Sequence, residues 1–183
     1  MKPRSGDLFD DFLPDRPAAI SGALLAERFR PRDLSEMRLP ASVAGPSSLL
    51  GRAIAADRVP SLVLWGPPGS GKTTLARIIA TRTKARFLAF SAVVAGVKEL
   101  REVLEESQRL AARGERTLLF VDEIHRFNRA QQDVFLPYVE SGAATLVGAT
   151  TENPSFELNG ALLSRMRVVV LPPLSREDLG GLL

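Results

Sequence analysis

Gly66-Pro67-Pro68-Gly69-Ser70-Gly71-Lys72-Thr73 carries glycine, lysine and threonine at the spacing of the phosphate-binding loop, G-x-x-x-x-G-K-[ST]. The chemistry of that spacing is electrostatic. Glycines let the backbone curl so that successive N–H groups point at phosphate oxygens. Lys72 is predicted to reach the β- and γ-phosphates, and the Thr73 hydroxyl to sit on Mg²⁺. Thr74 continues into Leu75-Ala76-Arg77-Ile78-Ile79-Ala80, read as a helix whose positive end faces the phosphates.

The second chemical feature is Asp122-Glu123, which ends the apolar run Thr117-Leu118-Leu119-Phe120-Val121. Acids at the carboxyl end of a buried strand stand where ligands bind in open α/β sheets. Asp122 suits a magnesium ion held through water, and Glu123 suits polarising the water that attacks the γ-phosphate. General base work of this kind contributes ~10²–10⁴-fold. Together with the loop, these residues predict binding and hydrolysis of ATP with Mg²⁺.

Weaker candidates lie downstream. Thr150-Thr151-Glu152-Asn153 follows another apolar strand, so a hydroxyl or amide there can meet the water or the γ-phosphate. Leu163-Ser164-Arg165-Met166-Arg167 places arginines beside the last strand, where one can serve as a finger on the transferring phosphoryl group or take part in a surface ion pair. His125, the one histidine of the chain, follows Glu123 by two and is read as a hydrogen-bonded neighbour near a strand end rather than as a catalyst. Trp65 is read as a strand residue packing beside the loop.

The elements that must position these groups follow from apolar runs and breakers. Strands are expected at Leu62–Trp65, Arg86–Phe90, Thr117–Val121, Ala144–Thr150 and Arg167–Leu171. Between them, residues 97–113 carry an amphipathic helical pattern that stops near Gly114. Asn128 with Gln131 three residues on reads as a capping box, opening a helix to about Ser141 that Pro137 should kink or shorten. A further short helix is expected over residues 47–58. Strands alternating with crossover-length helical segments predict an α/β fold with a parallel sheet, a three-layer αβα core.

Composition excludes several alternatives. The 183 residues hold no cysteine, which rules out a disulfide framework, a thiolate zinc site and a cysteine nucleophile. One histidine rules out a multi-histidine metal centre. A net charge of +3 says little about nucleic acid. No stretch approaches the ~18–20 apolar residues of a membrane span, and the first residues lack the apolar core of a signal peptide. A cytoplasmic location is therefore expected. Residues 1–23 read as a disordered tail, within which Asp7–Phe12 is acidic and aromatic, and residues 24–174 as the core. Arg28, Arg30, Arg32 and Arg38 around Phe29 and Pro31 read as a solvated or inter-subunit surface.

Two longer runs, Asp122-Glu123-Ile124-His125-Arg126-Phe127-Asn128-Arg129-Ala130-Gln131-Gln132-Asp133 and Gly148-Ala149-Thr150-Thr151-Glu152-Asn153-Pro154-Ser155-Phe156, are more specific than the loop. They resemble the AAA+ ATPases and, within them, the replication-associated recombination protein A family, also called MgsA or Werner-helicase-interacting protein. That family is a relative of clamp loaders. The resemblance spans about Leu24 to Leu183. It implies a P-loop NTPase of the AAA+ type acting in replication-fork maintenance, recombination and DNA repair, stimulated by DNA at forks, gaps or ends. It implies Arg165, in Leu162-Leu163-Ser164-Arg165, as a finger reaching a neighbouring subunit's nucleotide, hence a homo-oligomer. Thr151 or Asn153 becomes the sensor 1 residue, with both still open.

The same resemblance implies single-strand-binding or replisome proteins as partners, no membrane, and a bacterial cytoplasm at the nucleoid. Arg28-Phe29-Arg30-Pro31 resembles the start of the nucleotide-base region, with Val43-Ala44-Gly45-Pro46 in place of the usual Gly-Gln. Residues 175–183 read as the start of a truncated lid helix, and the helical lid and oligomerisation domain of the family are expected to be missing. Weak turnover is expected of the isolated monomer. Other functions open to the same core are a clamp-loader subunit, a branch-migration motor, or a nucleotide-binding scaffold with little turnover.

Overall fold

A computed structural model describes residues 30–93 and 96–175. The tail at 1–23, the segment Arg28-Phe29 and the lid start after Ser175 lie outside the described residues. Two short helices, α1 (Ala41–Ala44) and α2 (Leu49–Ala55), precede β1 (Leu62–Trp65). The chain continues through α3 (Lys72–Arg82), β2 (Arg86–Ser91), α4 (Val97–Ala111) and β3 (Thr117–Asp122). After a 3₁₀ turn at Ile124–Arg126 come α5 (Arg129–Asp133), α6 (Leu136–Glu140) and β4 (Ala144–Thr150). Helices α7 (Pro154–Glu157) and α8 (Gly160–Leu163) lead into β5 (Arg167–Val170).

The strands form one five-stranded sheet in the order β2-β3-β4-β1-β5, with every pair parallel. From β1 the chain skips past β4 and β3 to the edge at β2, returns through β3 to β4, and then passes β1 to the other edge at β5. That path brings the carboxyl ends of β1, β4 and β3 side by side at the centre. Register makes this specific: Trp65 pairs with Thr150, and Val121 with Gly148.

Both faces of the sheet are covered, so the strands are apolar on both sides, as parallel sheets require. Leu62, Leu64, Leu118, Phe120, Val147 and Ala149 point to the layer of α2 and α3, where they meet Leu50, Ile54, Leu75 and Ile79. Val63, Leu119, Val121 and Leu146 point the other way, to Leu100 and Leu104 of α4, Phe127, Phe135 and Leu162. The result is the expected three-layer αβα core. Burying each such side chain contributes roughly 1.5–3 kcal/mol. Among the described residues no helix is long and apolar enough to cross a membrane.

Two local features aim the site. Gly148 sits where an added Cβ would lie 2.9 Å from Ile124 Cδ1, so the bare backbone of β4 lets the turn after β3 close onto it. The segment after Asn128 is capped as its sequence predicts, Asn128 Oδ1 accepting from Gln131 N–H at 2.9 Å and Gln131 Oε1 from Asn128 N–H at 2.9 Å. Pro137 does more than kink it: two short helices, α5 and α6, replace the single one, because proline at the start of α6 cannot donate back to the preceding turn. Gln132, 1% exposed, then ties the layers together. It donates to the Phe127 and Glu157 carbonyls at 2.8 and 3.1 Å and accepts from Asn159 N–H at 2.7 Å.

Candidate active site

The loop leaves β1 at Gly66, whose N–H donates to the Thr150 carbonyl at 3.2 Å. No side chain fits at Gly66, since an added Cβ would lie 2.3 Å from the Leu171 carbonyl oxygen. Pro67 and Pro68 carry the chain outward, and Gly69 and Gly71 turn it with φ of +78° and +88°, a region that glycine enters without steric cost. Around the Cβ position of Gly69 there is open space, with no atom within 4 Å. Ser70 is 2% exposed, and its Oγ has no hydrogen-bond partner.

Lys72 opens α3, so its side chain emerges at the helix N-terminus under the loop. It is 8% exposed, and its Nζ donates to the carbonyls of Gly66 at 2.8 Å and Pro67 at 3.0 Å. Burial pulls its pKa below the ordinary lysine value, while the carboxylates of Glu123 and Asp122 oppose that shift. Thr73 and Thr74 follow in the same first turn, whose N–H groups have no partner inside the helix.

Asp122 ends β3 and accepts from Glu123 N–H at 3.2 Å. Glu123 has φ 52° and ψ 47°, left-handed values that cost a non-glycine residue ~1–2 kcal/mol. Its Oε2 is buried without a hydrogen bond and faces His125 Nδ1 at 3.2 Å. The same Nδ1 lies 3.0 Å from the hydroxyl of Thr150, a fully buried threonine at the end of β4. Thr150 Oγ1 also accepts from Glu152 N–H at 3.0 Å. His125 is thus the hydrogen-bonded neighbour its position predicts, with Thr150 as a partner that no spacing announces.

Thr151 and Asn153 differ in what their side chains do. Asn153 caps α7, its Oδ1 accepting from Ser155 N–H at 3.0 Å. Thr151 is half-buried just past the carboxyl end of β4. Arg165 stands in the turn between α8 and β5. Its NH1 donates to the Ala161 carbonyl at 2.7 Å and the Ser164 hydroxyl at 3.1 Å, and its NH2 pairs with Glu140 Oε1 at 2.5 Å. The Glu140 partner lies 25 residues upstream and carries no signal in the sequence. Val43, in α1, lines a separate groove of about 420 Å³ with Leu50, Val168 and Pro172, rather than the loop.

The family model "ATPase family associated with various cellular activities (AAA)" matches residues 62–174. This chain belongs to the AAA family of ATPases. The matched AAA residues run from the start of β1 past the end of β5 and contain every site residue named above. The resemblance to replication-associated recombination protein A holds across the AAA domain. The chain is 52% identical over 174 residues to the protein of that name from Coxiella burnetii, covering 95% of this chain and 37% of the relative. It is 47% identical to ATPase WRNIP1 of Dictyostelium discoideum, covering 89% of this chain and 19% of the relative. The fold matches the RuvB Holliday junction branch migration motor of Thermotoga maritima with a TM-score of 0.67 and 32% identity, covering 84% of this chain and 52% of that one. The chain therefore spans little more than a third of the bacterial relative's length.

The AAA site fits a nucleotide on its own geometry. An orphaned, buried hydroxyl at Ser70, open space over Gly69 and unpaired first-turn N–H groups form a donor-lined cradle for phosphate. The donor set also fits magnesium, a hard cation that takes one or two protein oxygens and keeps its waters and phosphate ligands. Among the described residues no cluster of three His, Cys, Asp or Glu side chains offers an all-protein metal cage.

Proposed function

We propose that this AAA domain is the ATP-hydrolysing module of a DNA-dependent ATPase that works in replication-fork maintenance, recombination and repair. One observation carries the chemical part: the phosphate loop, the Asp122-Glu123 pair and the Thr150-Thr151 strand end meet at the adjoining carboxyl ends of β1, β3 and β4. The names of the relatives support the DNA part.

Hydrolysis follows from what each residue offers. The loop N–H groups and those of Thr73 and Thr74 bind the phosphates, and Lys72 moves from the Gly66 and Pro67 carbonyls to the β- and γ-oxygens. Thr73 and Asp122 would hold Mg²⁺, which would supply charge neutralisation when bound. Glu123 orients and deprotonates the attacking water. Thr151, with its hydroxyl uncommitted to a cap, serves as sensor 1 in preference to Asn153. Arg165 stabilises the transferring phosphoryl group in a neighbouring copy, which requires it to leave Glu140. The assembly is a homo-oligomer in the bacterial cytoplasm, at the nucleoid, with single-strand-binding or replisome proteins as partners. The likeness to RuvB favours a branch-migration motor as the second reading.

The test is steady-state hydrolysis by the full-length protein with forked, gapped, blunt-ended or no DNA, with mass in solution followed in parallel. DNA is expected to raise the rate, and Arg165→Ala to abolish it while nucleotide still binds. An Arg165→Ala protein as active as wild type, or a rate indifferent to every DNA, would contradict the proposal.

A further inference from the structure

We propose that His125 is a positioning residue for hydrolysis, its Nδ1 linking the Glu123 carboxylate to the Thr150 hydroxyl at the end of β4. The inference rests on the proposed role of Glu123. Its physical basis is a shortage of protons. Thr150 Oγ1 accepts from Glu152 N–H at 3.0 Å and has one proton to give, with the Glu152 carbonyl at 3.2 Å and His125 Nδ1 at 3.0 Å as its two takers. When that proton goes to the carbonyl, Nδ1 must carry a proton itself. It then has Thr150 Oγ1 at 3.0 Å as its hydrogen-bond acceptor, with Glu123 Oε2 in contact at 3.2 Å and needing a shift of the carboxylate to become a second one.

The two choices have different consequences for Glu123. With Nδ1–H on Thr150, Glu123 Oε2 stays buried and unpaired, as the structure shows it. A carboxylate oxygen in that state is costly and turns readily to water or another donor. With Nδ1–H on Glu123, the carboxylate is held against the imidazole. The left-handed backbone of Glu123 narrows the directions open to its side chain, and such strain persists where the surroundings over-determine it. The imidazole has little freedom to evade the choice: its side chain is 15% exposed, in the 3₁₀ turn after β3. Thr150 immediately precedes Thr151, so a shift of that strand end changes which acceptor Nδ1 finds. His125 thereby couples the γ-phosphate side of the site to the aim of its base.

The chemistry of substitution gives a test that a packing role would not pass. Asparagine places its Nδ2 donor where imidazole has Nδ1, whereas glutamine places its donor nearer Nε2. In the full-length protein, His125→Ala and His125→Gln are expected to lower kcat by about 10- to 100-fold with KM and fluorescent-ATP affinity within about twofold. His125→Asn recovers most of the rate, which also keeps the test valid if the alanine variant fails to fold. Added to Glu123→Gln, His125→Ala produces no further loss of kcat. Equal rates for the Asn and Gln variants, a wild-type kcat in His125→Ala, or a full additive loss on Glu123→Gln each overturns the proposal alone. A wild-type rate no higher than that of Lys72→Ala overturns the ATPase reading and this proposal with it.

Discussion

Asp57 and Glu123 share an unusual backbone, both with φ 52°, and stand at opposite ends of the sheet. They are the two non-glycine residues with positive φ among the described residues. At the amino end, Asp57 is fully used: Lys84 N–H donates to its Oδ1 at 3.0 Å, and the Arg116 guanidinium grips both its carboxylate and its carbonyl. Its acid is held below the ordinary aspartate pKa, first by the Lys84 N–H and then by Arg116. At the carboxyl end, Glu123 lacks that compensation, its Oε2 buried without a hydrogen bond and in contact only with His125 Nδ1 at 3.2 Å. The same dihedral angle closes a structural corner in one place and aims the proposed base in the other. The contrast extends to their neighbours. Ser61 at the amino end accepts from Leu146 N–H through its Oγ, whereas Ser70 in the loop has no partner; Thr117 Oγ1, buried and unpaired at the amino end, is the exception.

The largest expected effect breaks the comparison at its reactive end. Glu123→Gln keeps shape and loses the base, so turnover should fall by ~100-fold or more while nucleotide affinity holds. A variant with near-normal turnover would remove Glu123 from the chemistry. A smaller effect sharpens the energetic side. Glu123→Gly relieves the left-handed strain and deletes an unpaired buried oxygen, against a glycine entropy cost of ~0.5–1 kcal/mol. Thermal denaturation should show it more stable by ~1 kcal/mol, whereas Asp57→Gly should melt lower. Opposite signs are the outcome that separates the two residues.

The smallest effect is in pH. A carboxylate with a lowered folded pKa stabilises the fold above its unfolded value of ~4. That contribution disappears as pH falls through the folded value. Asp57→Asn should therefore narrow the stability difference between neutral and acid solution, measured by melting from pH 7 to pH 3, with ATPase activity at pH 7 unchanged. An identical acid limb in both proteins would show that the Lys84 and Arg116 contacts do not stabilise the ionised form.

Much of the fold is legible in the sequence because its elements are punctuated. The strands at Leu62, Arg86, Thr117, Ala144 and Arg167 each follow a break and run apolar, and the Asn128–Gln131 box states its own geometry. The Gly66–Thr73 loop and the Asp122-Glu123 pair stand out in the sequence for the same reason: the residues of each motif are adjacent. What stayed hidden depends on register and on distant partners. Nothing local says that β1 lies between β4 and β5, which is what sets Trp65 beside Thr150. Nothing in Ser164-Arg165 names Glu140, and the buried hydroxyl of Thr150 acquires His125 only when β3 and β4 pair. The ambiguity between Thr151 and Asn153 has the same origin, since Asn153 shows its capping role only once α7 exists.

The central claim is that the carboxyl end of this sheet holds a nucleotide through Lys72. It is tested most directly by titrating a fluorescent ATP analogue, with magnesium, into wild-type and Lys72→Ala protein. Losing a charge-assisted contact of ~1.5–3 kcal/mol should weaken binding by roughly 10- to 100-fold. Equal affinity for the two proteins would contradict the account.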